Sequence, residues 1–483
     1  MLPDVQLDAA KKLRRKGLYL AALCTLQAVP HAHHPEIRGE THNELGLVHY
    51  HLGQYREAAA HFEQAAAYAN DTDAWVLYHI RRALAYRGLS DDDACYRILN
   101  QMRPFGGQVA AKTRGLLFAN LAMIQGMYGL YEEAIASIEK SFAAFREASI
   151  HTYDVLLWNN LGVAHLERGD LQRAEQALLQ ALDLSQHGDL SVLAELGRLY
   201  FLRWQLSESL AYTERALRMV WSSVIRYEKE EIARLCRLLA HITMHLGHDA
   251  LARRLNEKAQ LLFGQLGQWR QWEDIAAELL RWPRHARTRE RAAETQSGFV
   301  TNTIPNFLRC LDAFHAQELL HPKVSQWLDL RAHYAALLAL ELGLGERMRD
   351  HLVLASRLAD YGLTALEPVT AANTPWSPAV FANYAQHPSL SARMAQALDM
   401  PREVVQAIAD HHERWDGTGF PCGKSGATIH PLARILAVVD TYCTSFVFDH
   451  QPHDRILKSM VHESGQSLDP QVVQAFVAMH HTA

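Results

Sequence analysis

The sequence predicts an all-α chain in two parts, a solenoid of helix pairs over about residues 1–280 and a second helical domain over about 300–483. Three observations lead there. Turn signals recur about 35–43 residues apart through the first part and then stop. Apolar residues keep helical spacing in both parts, with no alternating strand pattern of any length. A charged, apolar-poor stretch, RWPRHARTRERAAETQSG, separates the two rhythms, and residues 281–299 are expected to be a linker. At 483 residues the chain is too long for one core, since cores stop growing near ~250–300 residues.

The recurring signals are KGLYLAAL (Gly17), LGQYREAA (Gly53), RGLSDDDA (Gly88), YGLYEEAI (Gly129), RGDLQRAE (Gly169), RWQLSESL (Trp204) and LGHDALAR (Gly247). Repeats of this size are the mark of stacked helix pairs, each too small to bury its apolar face alone. In HNELGLVHYHLGQYREAAAHFEQAAAYA, Leu45, Val48 and Leu52 form one helical face, and Ala58, Phe62, Ala65 and Ala66 form another across the turn. Gly46 and Ala58 let the two helices approach closely. Leu161, Gly162, Gly169, Ala174 and Ala181 recur at matching offsets in a later unit. Tyr50, Tyr55, Trp158 and Tyr200 are expected to pack within and between repeats. These units resemble the tetratricopeptide repeat, about seven helix pairs in all. The resemblance implies a right-handed superhelix that takes a protein partner.

The formal net charge is −5, so no basic face argues for nucleic acid. Six cysteines, at 24, 95, 236, 310, 422 and 443, form no CxxC pair and read as reduced thiols of a cytoplasmic protein. The first residues show no signal-peptide pattern, and the longest apolar runs are too short for a bilayer, so no membrane association is expected. Histidines in HAHHPEIRGETH (31–42) read as a polar loop and a first helical turn.

The second part carries the candidate chemistry. A helix of Val404, Val405 and Ile408 runs into ADHHERWDGTGFP. His412 falls on its apolar face, with His411 turned ~100° away. Imidazoles at the mouth of a core are costly unless their nitrogens are bound, which a metal or a carboxylate would do. Asp440 lies on the apolar face of PLARILAVVDTY, after Ala433, Leu436 and Ala437, and a buried carboxylate needs a cation or donors. Asp360 ends the helix HLVLASRLAD, and His387 opens HPSLSARMAQAL. Each alone reads as a helix-end polar residue bonded to backbone. All five together favour a present or ancestral metal site.

HHERWDGTGFP followed by GATIHPLARILAVVDTY is similar to the HD-GYP family, a branch of the HD metal-dependent phosphohydrolases, over roughly 300–483 and most strongly over 387–442. The resemblance implies bacterial cyclic di-GMP hydrolysis at two or three divalent metals. It places metal ligands at His387, His411, His412 and Asp440, a metal-bridging carboxylate at Asp360, and a ligand loop at Asp416, Gly417, Gly419, Phe420 and Pro421. The sequence departs from the family at functional positions. The His of the name-giving pair is Ala359, an earlier family histidine falls on Trp327, and a phosphate-contacting lysine falls on Leu363. The GYP tyrosine is Phe420, and FVFDHQPHDR, with Asp449 and Pro452, replaces a basic stretch.

A two-metal hydrolysis needs both ions, so these losses imply a degenerate centre with no confident catalytic residue. It would hold one divalent transition metal (iron, manganese or zinc) or none. The chain therefore reads as a regulator. Its solenoid recruits a protein, and its HD-GYP-like domain binds a ligand, with cyclic di-GMP the candidate, or docks a partner. The alternative is an active cyclic di-GMP phosphodiesterase with an altered metal centre.

Overall fold

Helices of the first part end repeatedly in the same way. At Gly53 the residue adopts φ +69°, its N–H bonds the carbonyl of Tyr50 at 3.0 Å, and the next N–H, of Gln54, reaches back to His49 at 2.8 Å. This pair of bonds satisfies two carbonyls that the helix end leaves without partners, and it demands a left-handed residue, which glycine adopts without penalty. Gly17, Gly129, Gly169 and Gly247 do likewise. Two of the recurring units use another residue. Trp204 takes φ +59°, and in the unit aligned on Gly88 the left-handed residue is Ser90, at φ +61°. The turn expected at Gly88 thus lies two residues later. Gly88 closes its helix and is there because a Cβ would stand 2.5 Å from the Tyr55 ring.

The computed structural model describes residues 3–29, 35–186, 188–222, 229–282, 298–320, 323–366 and 377–481, and among these it is all-α. The expected linker at 281–299 falls almost wholly outside them, as do the first histidines of the 31–42 stretch. The paired helices are α1 (Pro3–Arg15), α2 (Tyr19–Gln27), α3 (Pro35–His51), α4 (Tyr55–Ala67), α5 (Thr72–Gly88), α6 (Asp92–Met102), α7 (Ala111–Met127), α8 (Tyr131–Glu147), α9 (Asp154–Glu167), α10 (Leu171–Leu184), α11 (Leu190–Leu202), α12 (Leu206–Ser222), α13 (Lys229–His245) and α14 (Asp249–Gln265), followed by α15 (Trp269–Arg281). Apart from the last three residues of α12 they form one compact unit, and the helices from Ile304 onward belong to another.

Within a pair, a small residue on the first helix meets a large one on the second. A Cβ on Gly46 would lie 2.6 Å from the Phe62 ring, on Gly115 2.6 Å from Phe145, and on Gly162 2.6 Å from Leu178. The aromatic residues do pack between elements as expected: Phe142 against Trp158 at 5.1 Å, Tyr50 against Tyr55 at 5.3 Å, and Tyr200 stacked on Tyr212 at 5.4 Å. Ion pairs tie successive pairs together. Arg198 of α11 meets Glu167 of α9, and Arg234 of α13 reaches Glu195 of α11 at 3.6 Å.

The second unit comprises α16 (Ile304–Glu318), α17 (Val324–Glu341), α18 (Glu346–Leu358), α19 (Pro378–Tyr384), α20 (His387–Ala397), α21 (Arg402–Asp410), α22 (Pro431–Val447), α23 (His453–Glu463) and α24 (Pro470–His481). α17 and α22 pack on each other, with α18 and α24 alongside α17 and with α21 bridging α18, α20 and α22. Leu338, Leu352, Val404, Ile408, Leu436 and Val439 are wholly buried between them. This packing turns the C-terminal end of α18, the N-terminal end of α20 and the C-terminal end of α21 toward one point.

Candidate metal centre

Asp360 follows α18 and precedes a 3₁₀ turn, Tyr361–Ala365. Gly362 in that turn lies directly against the start of α20. Its N–H bonds the Ser391 hydroxyl at 2.7 Å, and a Cβ there would fall 2.5 Å from the His387 carbonyl. That close approach brings Asp360 to His387. α21 delivers His411 and His412. Asp360, His387, His411 and His412 each offer one ligand atom, and these four atoms lie within 4.8 Å of one another. α21 ends at Asp410, so the two histidines sit in a turn and their predicted facing is reversed. His411 is buried, at 2% exposure, and His412 is half-buried.

The backbone sets the imidazole tautomers. His387 Nδ1 donates to the Tyr384 carbonyl at 2.8 Å, and His411 Nδ1 donates to the Ile408 carbonyl at 2.7 Å. In the neutral rings both Nε2 atoms therefore carry lone pairs. They face each other at 3.2 Å. Burial keeps the rings neutral, holding His411 down at about 4 and His387 below its ordinary value. Facing lone pairs repel unless a cation lies against both. Two imidazole nitrogens bound at about 2.1 Å to one tetrahedral or octahedral ion stand about 3.0–3.4 Å apart. The donor set, three neutral imidazoles and a carboxylate, thus fits one transition metal.

Asp360 faces two ways. Oδ1 lies 3.5 Å from His387 Nε2, and Oδ2 accepts a 2.6 Å bond from Arg331 Nη1. Burial would raise this carboxyl, but the Arg331 guanidinium beside it above all holds it well below the usual carboxylate range. The same Arg331 nitrogen donates to Asp440 Oδ1 at 2.8 Å. Asp440 therefore stands outside the four-ligand group and meets it through Arg331; burial, aided by Asp360, raises its carboxyl against the pull of Arg331.

Neither Ala359 nor Trp327 supplies a ligand. Ala359 is wholly buried, and Trp327 donates its indole N–H to the Thr444 hydroxyl at 3.1 Å. Leu363 is partly buried and apolar. Of the expected ligand loop, Phe420 stacks on His412 with ring centroids 4.9 Å apart. Asp416 closes its own turn, accepting from the Thr418 N–H at 2.9 Å, and Gly417 supplies a left-handed residue there at φ +83°. Gly419 lies so near Arg414 that a Cβ would fall 2.3 Å from its nitrogen, and Pro421 is exposed. The loop is anchored from inside. Buried Glu413 accepts the N–H groups of Cys422 and Lys424 at 2.7 and 2.9 Å, and Asp410 takes the Lys424 ammonium on both oxygens.

Two residues at the centre escape a reading of the sequence alone. Tyr384, at the end of α19, places its hydroxyl 3.2 Å from His412 Nε2; no spacing rule ties it to the motif. Arg331 does leave a trace, as a lone cation inside the apolar run WLDLRAHYAALLAL.

Known proteins match the two parts separately. The tetratricopeptide repeat family matches residues 39–72 and 159–187, and the HD domain family matches 316–472. A cyclic di-GMP phosphodiesterase of Vibrio cholerae is 38% identical over 81 residues, 16% of this chain and 16% of that protein. The cyclic di-GMP phosphodiesterase response regulator RpfG of Xanthomonas campestris is 28% identical over 162 residues, 32% of this chain and 42% of its own. The chain thus spans less than half the length of these curated relatives. Among solved structures, the apo quorum sensor NprR of B. thuringiensis overlays 58% of this chain and 86% of its own at TM-score 0.43 and 16% identity. The chain carries tetratricopeptide repeats followed by an HD domain related to cyclic di-GMP phosphodiesterases, and no described helix is long and apolar enough to cross a membrane.

Proposed function

We propose that this chain is a regulator in bacterial cyclic di-GMP signalling, with a repeat solenoid over about 1–280 that recruits a protein partner and an HD-GYP-like domain over about 300–483 that binds a ligand or docks. The observation that carries this reading is the ligand set. Asp360, His387, His411 and His412 suit one ion, and Ala359 and Trp327, where the family resemblance would put further imidazoles, offer no metal-binding side chain. When bound, a metal in this set would supply positive charge and polarise a bound oxygen. The protein's own groups hold Asp360 ionised and the imidazoles neutral, which prepares them as ligands. They offer little to a transferring phosphoryl group. Leu363 brings no charge, and Phe420 presents a ring without a hydroxyl beside His412. Each missing cation of this kind costs several kcal/mol of transition-state stabilisation, typically ~10²–10³ in rate.

Incubation of the full chain with cyclic di-GMP and Mn²⁺ or Fe²⁺ is expected to give no sustained linear product. Steady turnover that disappears in His411→Ala would establish the second reading, an active phosphodiesterase with an altered metal centre, which the intact four-ligand group favours.

A further inference from the structure

Arg331 is the largest fully buried side chain of the described residues. It lies on α17, one helical turn after Trp327, and its guanidinium carbon sits 4.0 Å from the centre of that indole ring. One nitrogen, Nη1, serves both carboxylates, Asp360 Oδ2 at 2.6 Å and Asp440 Oδ1 at 2.8 Å. The other two, Nε and Nη2, find no acceptor. For an arginine this is an odd arrangement, because the planar fork favours bidentate pairing through two nitrogens. Here a single positive point sits between two carboxylate oxygens from different helices, and the rest of the group lies against an aromatic face.

We propose that Arg331 is a built-in cation occupying a second metal position of this centre, so that the site is closed to a second ion by its own side chain. The inference rests on reading the four-ligand group as a metal site. Asp360 carries it furthest. One of its oxygens turns to the imidazoles and the other to Arg331 Nη1, as a carboxylate bridging two cations would. Asp440, from α22, completes the second position on the far side. An ion there would need the space that Nη1 fills, and it would meet the fixed charge of a fully buried guanidinium, where like charges repel more strongly than in water. Trp327 holds the guanidinium in place, since a cation over an indole face is attracted to the ring and the ring blocks its retreat. The two residues act together: the indole braces the guanidinium, and the guanidinium stands where an ion between the two carboxylates would.

The test is the Mn²⁺ stoichiometry of the full chain, by equilibrium dialysis with elemental analysis and by electron paramagnetic resonance. The parent protein is expected to hold about one Mn²⁺ and Arg331→Ala about two, with a spin-coupled signal from the pair, because the two freed carboxylates need a cation. Arg331→Lys keeps the charge and stays at about one. Should Arg331→Ala be insoluble, Arg331→Gln is read in its place with the same expectation. A parent that already binds two ions, or an uncharged variant that stays at one, overturns the inference and leaves the metal centre standing. If neither the parent nor the variant binds Mn²⁺, the metal-site reading falls and the inference with it.

Discussion

His387 and His411 face each other through two unprotonated Nε2 atoms 3.2 Å apart, each ring pinned in that tautomer by a backbone carbonyl three residues before it. Without a cation this is a repulsive contact inside a core. The native sequence accepts it, which is the physical ground for reading the site as built for an ion.

That contact predicts how His411→Leu behaves. Leucine has a similar volume and removes one of the facing lone pairs. The metal-free variant is expected to melt no lower than the metal-free parent. Added Mn²⁺ or Zn²⁺ at ~100 times its dissociation constant stabilises a one-site protein by ~2.7 kcal/mol, and this rise is expected in the parent and absent in the variant. Calorimetric melting with and without metal checks both halves. A variant that keeps the metal-dependent rise would show that His411 is not a ligand.

Gly162 and Gly169 are expected to resist substitution for different reasons. Gly162 is helical, and a Cβ there would lie 2.6 Å from Leu178 Cγ. Gly162→Ala therefore overpacks the helix pair, at ~1–3 kcal/mol, against ~1 kcal/mol regained in helix propensity. A Cβ on Gly169 would meet nothing within 4 Å, but the residue sits at φ +81°. Gly169→Ala costs ~1–2 kcal/mol of backbone strain alone. Asparagine tolerates the left-handed region, so Gly169→Asn is expected to recover most of the loss, whereas Gly162→Ser does not recover. Denaturant midpoints of the four variants distinguish sterics from backbone conformation.

A pH dependence is expected from the solenoid. His61 of α4 meets His42 Nδ1 at 3.1 Å through its own Nδ1, beside the ring of His49. One of the two nitrogens must donate and the other accept, so a second proton breaks the bond. Burial first, then His49 and His42, hold His61 down at about 4, against 6.5 ordinarily. Between these values the unfolded chain takes up a proton that the folded chain refuses. Stability contributed by neutral His61 is therefore full above pH 6.5 and is lost as pH falls toward 4. His61→Gln keeps a hydrogen-bonding side chain and removes the titration, so its melting temperature is expected to fall less steeply over that window. An unchanged slope would assign the pH dependence to other groups.

Periodicity alone determined the broad architecture. Helix pairs are local objects, and the recurrence of Gly17, Gly53, Gly129, Gly169 and Gly247 marks the helix ends because only backbone conformation is at stake there. Where another residue takes the left-handed turn, as Ser90 does, the sequence pointed two residues away, to a glycine that serves packing against Tyr55. The candidate ligands Asp360, His387, His411 and His412 also stand out in the sequence, because helix-end polar residues on apolar faces differ from their neighbours, and the structure brings these four together. What only the tertiary structure decided is who meets whom across helices distant in sequence. Arg331 reads locally as one charge in an apolar run. Its pairing with Asp360, 29 residues on, and Asp440, 109 residues on, arises from the packing of α17 against α18 and α22. Electrostatic partnership depends on distance in space, and helical spacing carries no record of it.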